Sequence, residues 1–162
     1  MHSKSIICLV GMMGVGKTTI GSRLAKKLGY YFIDSDQEIE DIEAISINEI
    51  FSTKGEAHFR ELEKNFIIDN LQRDEKIVFS LGGGAFINEK TRSAIKSKAT
   101  SIWLEASIDE IYARLSKKKN RPLINQNQDT RNFIIDTSGK ACSKIIKEIF
   151  EKLGFEYKDQ GD

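Results

Sequence analysis

The sequence predicts a single α/β domain, residues 1–162, with a parallel sheet covered by helices on both faces. Five short β-prone runs alternate with helical patterns, and strands that alternate with helices in this way form parallel sheets. The runs are residues 5–10, 30–33, 76–81, 100–104 and 132–136. A chain of 162 residues also has the size of one domain with a full hydrophobic core.

A glycine-rich segment joins the first predicted strand to a helical pattern that begins near Ile20. It reads Gly-Met-Met-Gly-Val-Gly-Lys-Thr-Thr and matches the phosphate-binding pattern G-x-x-x-x-G-K-[ST]. Backbone N–H groups in such a loop turn toward phosphate oxygens, Lys17 adds positive charge, and Thr18 offers a hydroxyl to Mg²⁺. The helix dipole favours the same anion. We therefore predict a nucleoside triphosphate site formed by Gly11, Gly14, Val15, Gly16, Lys17, Thr18 and Thr19.

Two carboxylates follow the second predicted strand, at Asp34 and Asp36. The carboxyl ends of parallel strands line the ligand crevice of an open sheet. Carboxylates beside a phosphate loop suit Mg²⁺ coordination through water and contact with an acceptor hydroxyl. The alternative is that these residues cap the following helix, and capping by one does not exclude a site role for the other.

Three further segments give weaker signals. Residues 82–84 are three consecutive glycines at the end of the third predicted strand, where a ligand can approach the backbone closely. Arg60 stands three residues before Glu63 on a predicted helix, and an exposed pair of this kind is usually a solvated ion pair worth well under about 1 kcal/mol. A lysine run at 117–119 precedes Arg121. It either complements a helix dipole or belongs to a segment that closes over the γ-phosphate.

Composition and charge argue against several classes of protein. Lys and Arg number 25 against 24 Asp and Glu, and a net charge of +1 gives no general attraction to nucleic acid or to an anionic membrane. The apolar run at 5–10 is too short for a membrane span or a signal sequence. We therefore expect a cytoplasmic protein that acts on a small molecule and binds neither nucleic acid nor membrane.

Taken together, the motifs resemble the shikimate kinase family. The matching segments, in family order, are residues 11–19, Asp34-Ser-Asp36, Phe59-Arg60-Glu-Leu-Glu63, residues 82–84, Arg121-Pro-Leu123 and Ile135-Asp136-Thr137. The resemblance implies a P-loop kinase fold with sheet order 2-3-1-4-5. It also implies transfer of the ATP γ-phosphate, with Mg²⁺, to the 3-hydroxyl of shikimate in aromatic amino-acid biosynthesis, by a monomer.

The resemblance implies roles for residues on the acceptor side. Asp36 is similar to the residue that holds the acceptor hydroxyl and is placed to act as its base, and Asp34 to the one that reaches Mg²⁺ through water. Arg60 matches the guanidinium that grips the shikimate carboxylate, since its forked donors suit two oxygens. Gly83 matches the glycine whose backbone N–H meets the substrate.

On the nucleotide side, the resemblance makes Arg121 the arginine of a lid at about residues 116–130. Lys17, Asp36 and Arg121 are then the catalytic residues. Arg114 matches an arginine that stacks on adenine, and Asp136 belongs to a segment that resembles the adenine-binding turn.

The chain departs from the family pattern between Leu123 and Asn132. The family has a helix there and an Arg-x-Pro-x-Tyr segment whose arginine is the second clamp on the shikimate carboxylate. Only residues 124–131 intervene in this chain, and about fifteen to twenty residues are lacking, more than ordinary loop variation. Three functions stay open: a shikimate kinase with a shortened lid, an ATP-binding regulatory module, and a kinase for another small hydroxy acid.

Overall fold

The computed structural model describes residues 4–11, 16–106 and 133–158. In this part of the chain a five-stranded parallel sheet has the order β2-β3-β1-β4-β5. The strands are β1 (Ile6–Val10), β2 (Tyr31–Asp34), β3 (Ile77–Ser80), β4 (Ala99–Glu105) and β5 (Phe133–Asp136). The predicted fold class and strand order are confirmed.

Six α-helices and one 3-10 turn connect or flank these strands in the described residues. They are α1 (Lys17–Leu28), α2 (Ser35–Glu43), α3 (Ile47–Lys54), α4 (Glu56–Leu71), the 3-10 turn (Ala85–Ile87), α5 (Glu89–Lys98) and α6 (Cys142–Leu153). No helix of the described ranges is long and apolar enough to cross a membrane. The predicted lid at 116–130 lies outside the described residues.

Strand β1 occupies the centre of the sheet, and its side chains alternate between two cores. Ile7 and Leu9 pack on one face with residues of α1 and α6. Ile6, Cys8 and Val10 pack on the other face with residues of α4 and α5. Because both faces of the strand are buried, its sequence is continuously apolar rather than alternating.

Helix α1 begins at Lys17, three residues before the predicted start at Ile20. Gly16, the residue before it, adopts a left-handed conformation with φ 93°, which glycine reaches without the steric cost that other residues meet. Gly29 ends the helix in the same conformation, as the sequence predicts. The early start matters because it brings the first turn of α1, with its backbone N–H groups, directly up to the glycine-rich loop.

The register of the sheet aligns the ends of three strands. Ser80 in β3 stands opposite Leu9 in β1 and opposite Asp34 in β2. The segments that follow these strands, which contain the glycine-rich loop, Asp36 and the glycine triplet, therefore leave the sheet at one edge. Thr18 thus reaches Asp34, and Asp36 reaches Gly82, even though the partners are far apart in sequence.

Candidate active site

The start of α1 is arranged to bind an anion. Its first turn contains no acidic residue, and the N-cap residue, Gly16, has no side chain that could bond to the first backbone N–H groups. The first backbone N–H groups of a helix have no partner inside it and attract negative charge. Lys17 Nζ donates a hydrogen bond to the carbonyl oxygen of Gly11 at 2.7 Å, so the ammonium lies beside the residue that follows β1 and opens the glycine-rich segment. Thr19 is exposed on the same turn, and Gly14 and Val15 lie outside the described residues.

Asp34 connects this loop to helix α2. Its Oδ2 accepts a hydrogen bond from the hydroxyl of Thr18 at 2.6 Å. Its Oδ1 accepts from the backbone N–H groups of Asp36 and Gln37, at 3.1 and 3.2 Å. Asp34 is therefore the N-cap of α2 and also a neighbour of Thr18, so the capping interpretation is confirmed and the magnesium role of this residue stays a prediction.

Thr18 and Asp34 suit a magnesium ion. A hydroxyl and a carboxylate are hard oxygen donors, and Mg²⁺ usually takes one or two carboxylates while keeping several of its waters. The described residues contain no cluster of three or more His, Cys, Asp or Glu side chains that could hold a metal. The oxygen donors of Thr18 and Asp34 fit magnesium better than zinc, which prefers nitrogen and sulfur ligands.

Arg60 is held firmly on α4. Its Nη1 donates to Glu63 Oε1 at 2.8 Å, and its Nε lies 3.6 Å from Glu56 Oε1. The guanidinium also lies over the ring of Phe59, 5.3 Å from its centroid, and 6.0 Å from that of Phe51. The expectation of a solvated Arg60/Glu63 pair is wrong, because the Glu63 side chain is only 3% exposed. The pair is a partly desolvated anchor that orients the guanidinium.

The glycine triplet lies where the acceptor-side residues converge. A Cβ added to Gly82 would lie 2.7 Å from Asp36 Oδ1 and 2.8 Å from Glu63 Oε2, so both carboxylates pack against the bare Cα of this glycine. The next residue, Gly83, is half-buried between this contact and Gly84, which faces Arg60. The structure thus brings Asp36, Arg60 and Gly83 together.

Asp136 lies at the same edge of the sheet, at the end of β5 and opposite Glu105. Its exposed carboxylate accepts a hydrogen bond from the backbone N–H of Ser138 at 2.9 Å, and this bond lowers the pKa of Asp136 below its ordinary value. Thr137 Oγ1 donates to the carbonyl oxygen of Glu105 at 2.8 Å. The turn after β5 is therefore fixed, and the adenine-binding role of Asp136 stays a prediction.

Arg114 and Arg121 lie outside the described residues, so their predicted roles also stay predictions. Two buried polar residues near the site were not predicted. Ser35 lies between the two aspartates and accepts a hydrogen bond from Gly82, and its position in Asp34-Ser-Asp36 was the only available signal. The anchoring role of Glu63 was signalled by its spacing from Arg60, but its burial was not.

Comparisons with known proteins agree on one family. A family model described as shikimate kinase matches residues 13–153. The shikimate kinase of Mesorhizobium japonicum is 48% identical over 124 residues, which cover 76% of this chain and 60% of that protein. The enzyme of Rhodopseudomonas palustris is 48% identical over 118 residues, covering 73% and 58%. The chain thus spans about three fifths of the length of these curated relatives.

The fold of this chain is similar to that of a solved protein structure that contains a bound ligand. The shikimate kinase from Acinetobacter baumannii, in complex with shikimate, superposes with a TM-score of 0.84. The two chains are 29% identical, and the superposition covers 93% of this chain and 92% of that one. The resemblance stated from the sequence motifs is confirmed by both kinds of comparison.

Proposed function

This chain belongs to the shikimate kinase family, and we propose that it transfers the γ-phosphate of ATP, in the presence of Mg²⁺, to the 3-hydroxyl of shikimate. One observation supports the proposal: Asp36 lies between two charged features, since its backbone N–H bonds to Asp34, the partner of Thr18, and its carboxylate packs against Gly82 beside Glu63, the partner of Arg60. We expect the protein to act as a cytoplasmic monomer with this small acceptor as its partner.

The phosphate loop and the first turn of α1 bind the nucleotide. Their backbone N–H groups hold phosphate oxygens, and Lys17 stabilises the charge that develops on them during transfer. Thr18, and Asp34 through water, would hold the magnesium ion, which would neutralise phosphate charge. Arg121 adds positive charge from the lid, and Arg114 and Asp136 contact the adenine.

The acceptor binds between Asp36 and Arg60. The Arg60 guanidinium pairs with the acceptor carboxylate, and a guanidinium has five N–H donors, so the ion pairs seen in the described residues leave donors for this contact. The backbone N–H of Gly83 contributes a further hydrogen bond. Asp36 accepts a hydrogen bond from the 3-hydroxyl and orients it toward the γ-phosphorus.

In the transfer step the 3-hydroxyl oxygen forms a bond to the γ-phosphorus, and the bond from that phosphorus to the β,γ-bridging oxygen breaks. Asp36 takes the proton of the hydroxyl, and ADP leaves with the bridging oxygen. The preformed ion pair supports this assignment, because a guanidinium that is already oriented loses less conformational entropy when the acceptor binds.

Coupled ADP release, measured with ATP and Mg²⁺ in the presence and absence of shikimate, tests the proposal. We expect ADP release to depend on shikimate, and phosphorus NMR to identify a 3-phosphate ester. Arg60→Ala should raise the KM for shikimate much more than the KM for ATP. ATP binding without turnover would favour a regulatory module, and turnover with a different hydroxy acid alone would favour another acceptor. Either outcome overturns the proposal.

A further inference from the structure

The backbone conformation at position 84 does not require a glycine. Gly84 immediately precedes the 3-10 turn, with φ −101° and ψ 2°, and residues other than glycine adopt this conformation. A Cβ added there would nevertheless lie 2.5 Å from Cζ of Arg60 and closer still to both Nη atoms. Non-bonded carbon atoms attract at about 3.5–4.0 Å, so the two groups cannot occupy these positions together. The flat guanidinium therefore lies directly on the Cα of Gly84.

The guanidinium is also confined on its other sides. Nη1 donates to Oε1 of the buried Glu63 carboxylate at 2.8 Å, and the ring of Phe59 lies beneath the cation. Glu63 itself packs against the Cα of Gly82. Because its anchor is fixed, Arg60 reaches its present position only if residue 84 has no side chain.

We propose that Gly84 is a specificity-determining residue that positions Arg60 for an acceptor with a carboxylate group. This inference rests on the proposed function and deepens it, since it assigns part of the acid selectivity to the absence of one side chain. With a methyl group at position 84, the guanidinium must move toward the space in which the acceptor carboxylate binds. Recognition of the acid then weakens, although every charged residue of the site remains.

Gly82 gives a matched comparison within the same triplet. The three atoms nearest to a Cβ at this position belong to the carboxylates of Asp36 and Glu63. The backbone of Gly82, like that of Gly84, is outside the left-handed region, so alanine is compatible with both conformations. Gly84→Ala therefore meets the guanidinium directly, whereas Gly82→Ala meets Asp36 and reaches Arg60 only indirectly, through Glu63.

The kinetic test compares Gly84→Ala with Gly82→Ala. The guanidinium is the end of a flexible side chain, so Gly84→Ala should fold normally while the KM for shikimate rises about tenfold or more, equivalent to about 1.4 kcal/mol. Its KM for ATP and its kcat should stay within about threefold of the parent, equivalent to about 0.65 kcal/mol. Gly82→Ala should instead lower kcat, because it displaces Asp36. An unchanged KM for shikimate in Gly84→Ala would overturn the inference.

A double variant tests whether Gly84 acts through Arg60. Arg60→Ala and the combination of Arg60→Ala with Gly84→Ala should have the same KM for shikimate, since the methyl group then has no guanidinium to displace. A further rise in the double variant contradicts the inference. If Gly84→Ala alone fails to fold, adding Arg60→Ala together with Glu63→Gln, which removes the guanidinium without leaving a buried charge unpaired, should restore folding, and failure to restore it also contradicts the inference.

A measurement without acceptor separates this inference from the proposed function. The Nε–H resonance of Arg60, assigned in nitrogen-15 NMR spectra by its loss in Arg60→Ala, should shift in Gly84→Ala and stay in place in Ser22→Ala, an exposed substitution on α1. If the parent protein does not phosphorylate shikimate but this resonance shifts, the proposed function fails and the positioning role stands. If the parent is active and the resonance does not move, the positioning role fails alone.

Discussion

The side chain of Ser35 and the backbone of Gly82 form a buried hydrogen bond. Ser35 Oγ accepts from the N–H of Gly82 at 3.1 Å, and Ser35 is fully buried. The bond joins the first residue of α2 to the segment that follows β3. It therefore fixes the distance between the helix that carries Asp36 and the backbone of Gly83.

Ser35→Ala should destabilise the protein by about 1–3 kcal/mol, because it leaves the buried N–H of Gly82 without its acceptor. Urea unfolding followed by circular dichroism measures this change. Ser22→Ala is the matched control, since Ser22 is exposed on α1, and its effect should stay within about 0.5 kcal/mol. Equal stability of the two variants would show that this bond contributes nothing to the fold.

The two functions of Asp34 should separate in two substitutions. Asn caps helices as well as Asp does, so Asp34→Asn should retain stability within about 0.5 kcal/mol while its loss of charge raises the Mg²⁺ requirement about ten- to hundredfold. Asp34→Ala should add a loss of about 0.5–2 kcal/mol in stability, because it also removes the cap of α2. Activity titrated against Mg²⁺, together with thermal unfolding, distinguishes them. A magnesium titration unchanged in Asp34→Asn would remove this residue from the metal site.

Asp36→Asn should have a different kinetic defect. Loss of a general base typically costs about 10²–10⁴ in rate, so we expect kcat to fall in this range while ATP binding by calorimetry is retained. Excess Mg²⁺ should restore activity to Asp34→Asn but not to Asp36→Asn. If the two variants respond identically across the titration, the division of roles between these carboxylates is wrong.

Lys17→Ala should abolish measurable phosphoryl transfer while the protein remains folded. The ammonium donates to the carbonyl oxygen of Gly11, and its charge acts on phosphate oxygens that gain charge in the transition state. Removal of one such group costs about 10²–10³ in kcat. A purified variant with the melting curve and the turnover of the parent would exclude the kinase assignment.

Local sequence predicts the features of this fold that depend on neighbouring residues. Ser46 and Asn88 cap α3 and α5 as their patterns indicate, because a capping side chain reaches only two or three residues along the chain. The continuous apolar run of β1 likewise predicts a central, doubly covered strand. The phosphate loop is predictable because its function depends on a contiguous segment.

The buried face of α4 shows what local sequence does not determine. The apolar pattern predicts a stripe through Phe59, Leu62, Phe66 and Leu71, but the structure buries Phe59, Glu63, Ile67 and Leu71. Glu63 can occupy this stripe because its partner Arg60 compensates its charge. The contacts of Glu63 and Ser35 with Gly82 depend on β2 and β3 being neighbours in the sheet, and that information is distributed over the whole fold.

Segment 124–131 is short and lacks the Arg-x-Pro-x-Tyr pattern that carries the second carboxylate-binding arginine of the family. In the family pattern two arginines bind the shikimate carboxylate, and only Arg60 has a recognisable counterpart in this chain. The missing charge-assisted hydrogen bond is worth about 1.5–3 kcal/mol, so acceptor binding should be about ten- to two-hundredfold weaker than in a kinase with the complete segment. ATP affinity should be similar in the two proteins, because the loop, α1 and Asp34 are intact. Calorimetry with shikimate and ATP, run in parallel on this protein and on the Acinetobacter baumannii kinase, measures both differences. Equal shikimate affinity would mean that another cation replaces the lost arginine. Arg131→Ala would then test whether Arg131 is that cation. If affinity is weaker as expected, Arg131→Ala should leave shikimate binding unchanged.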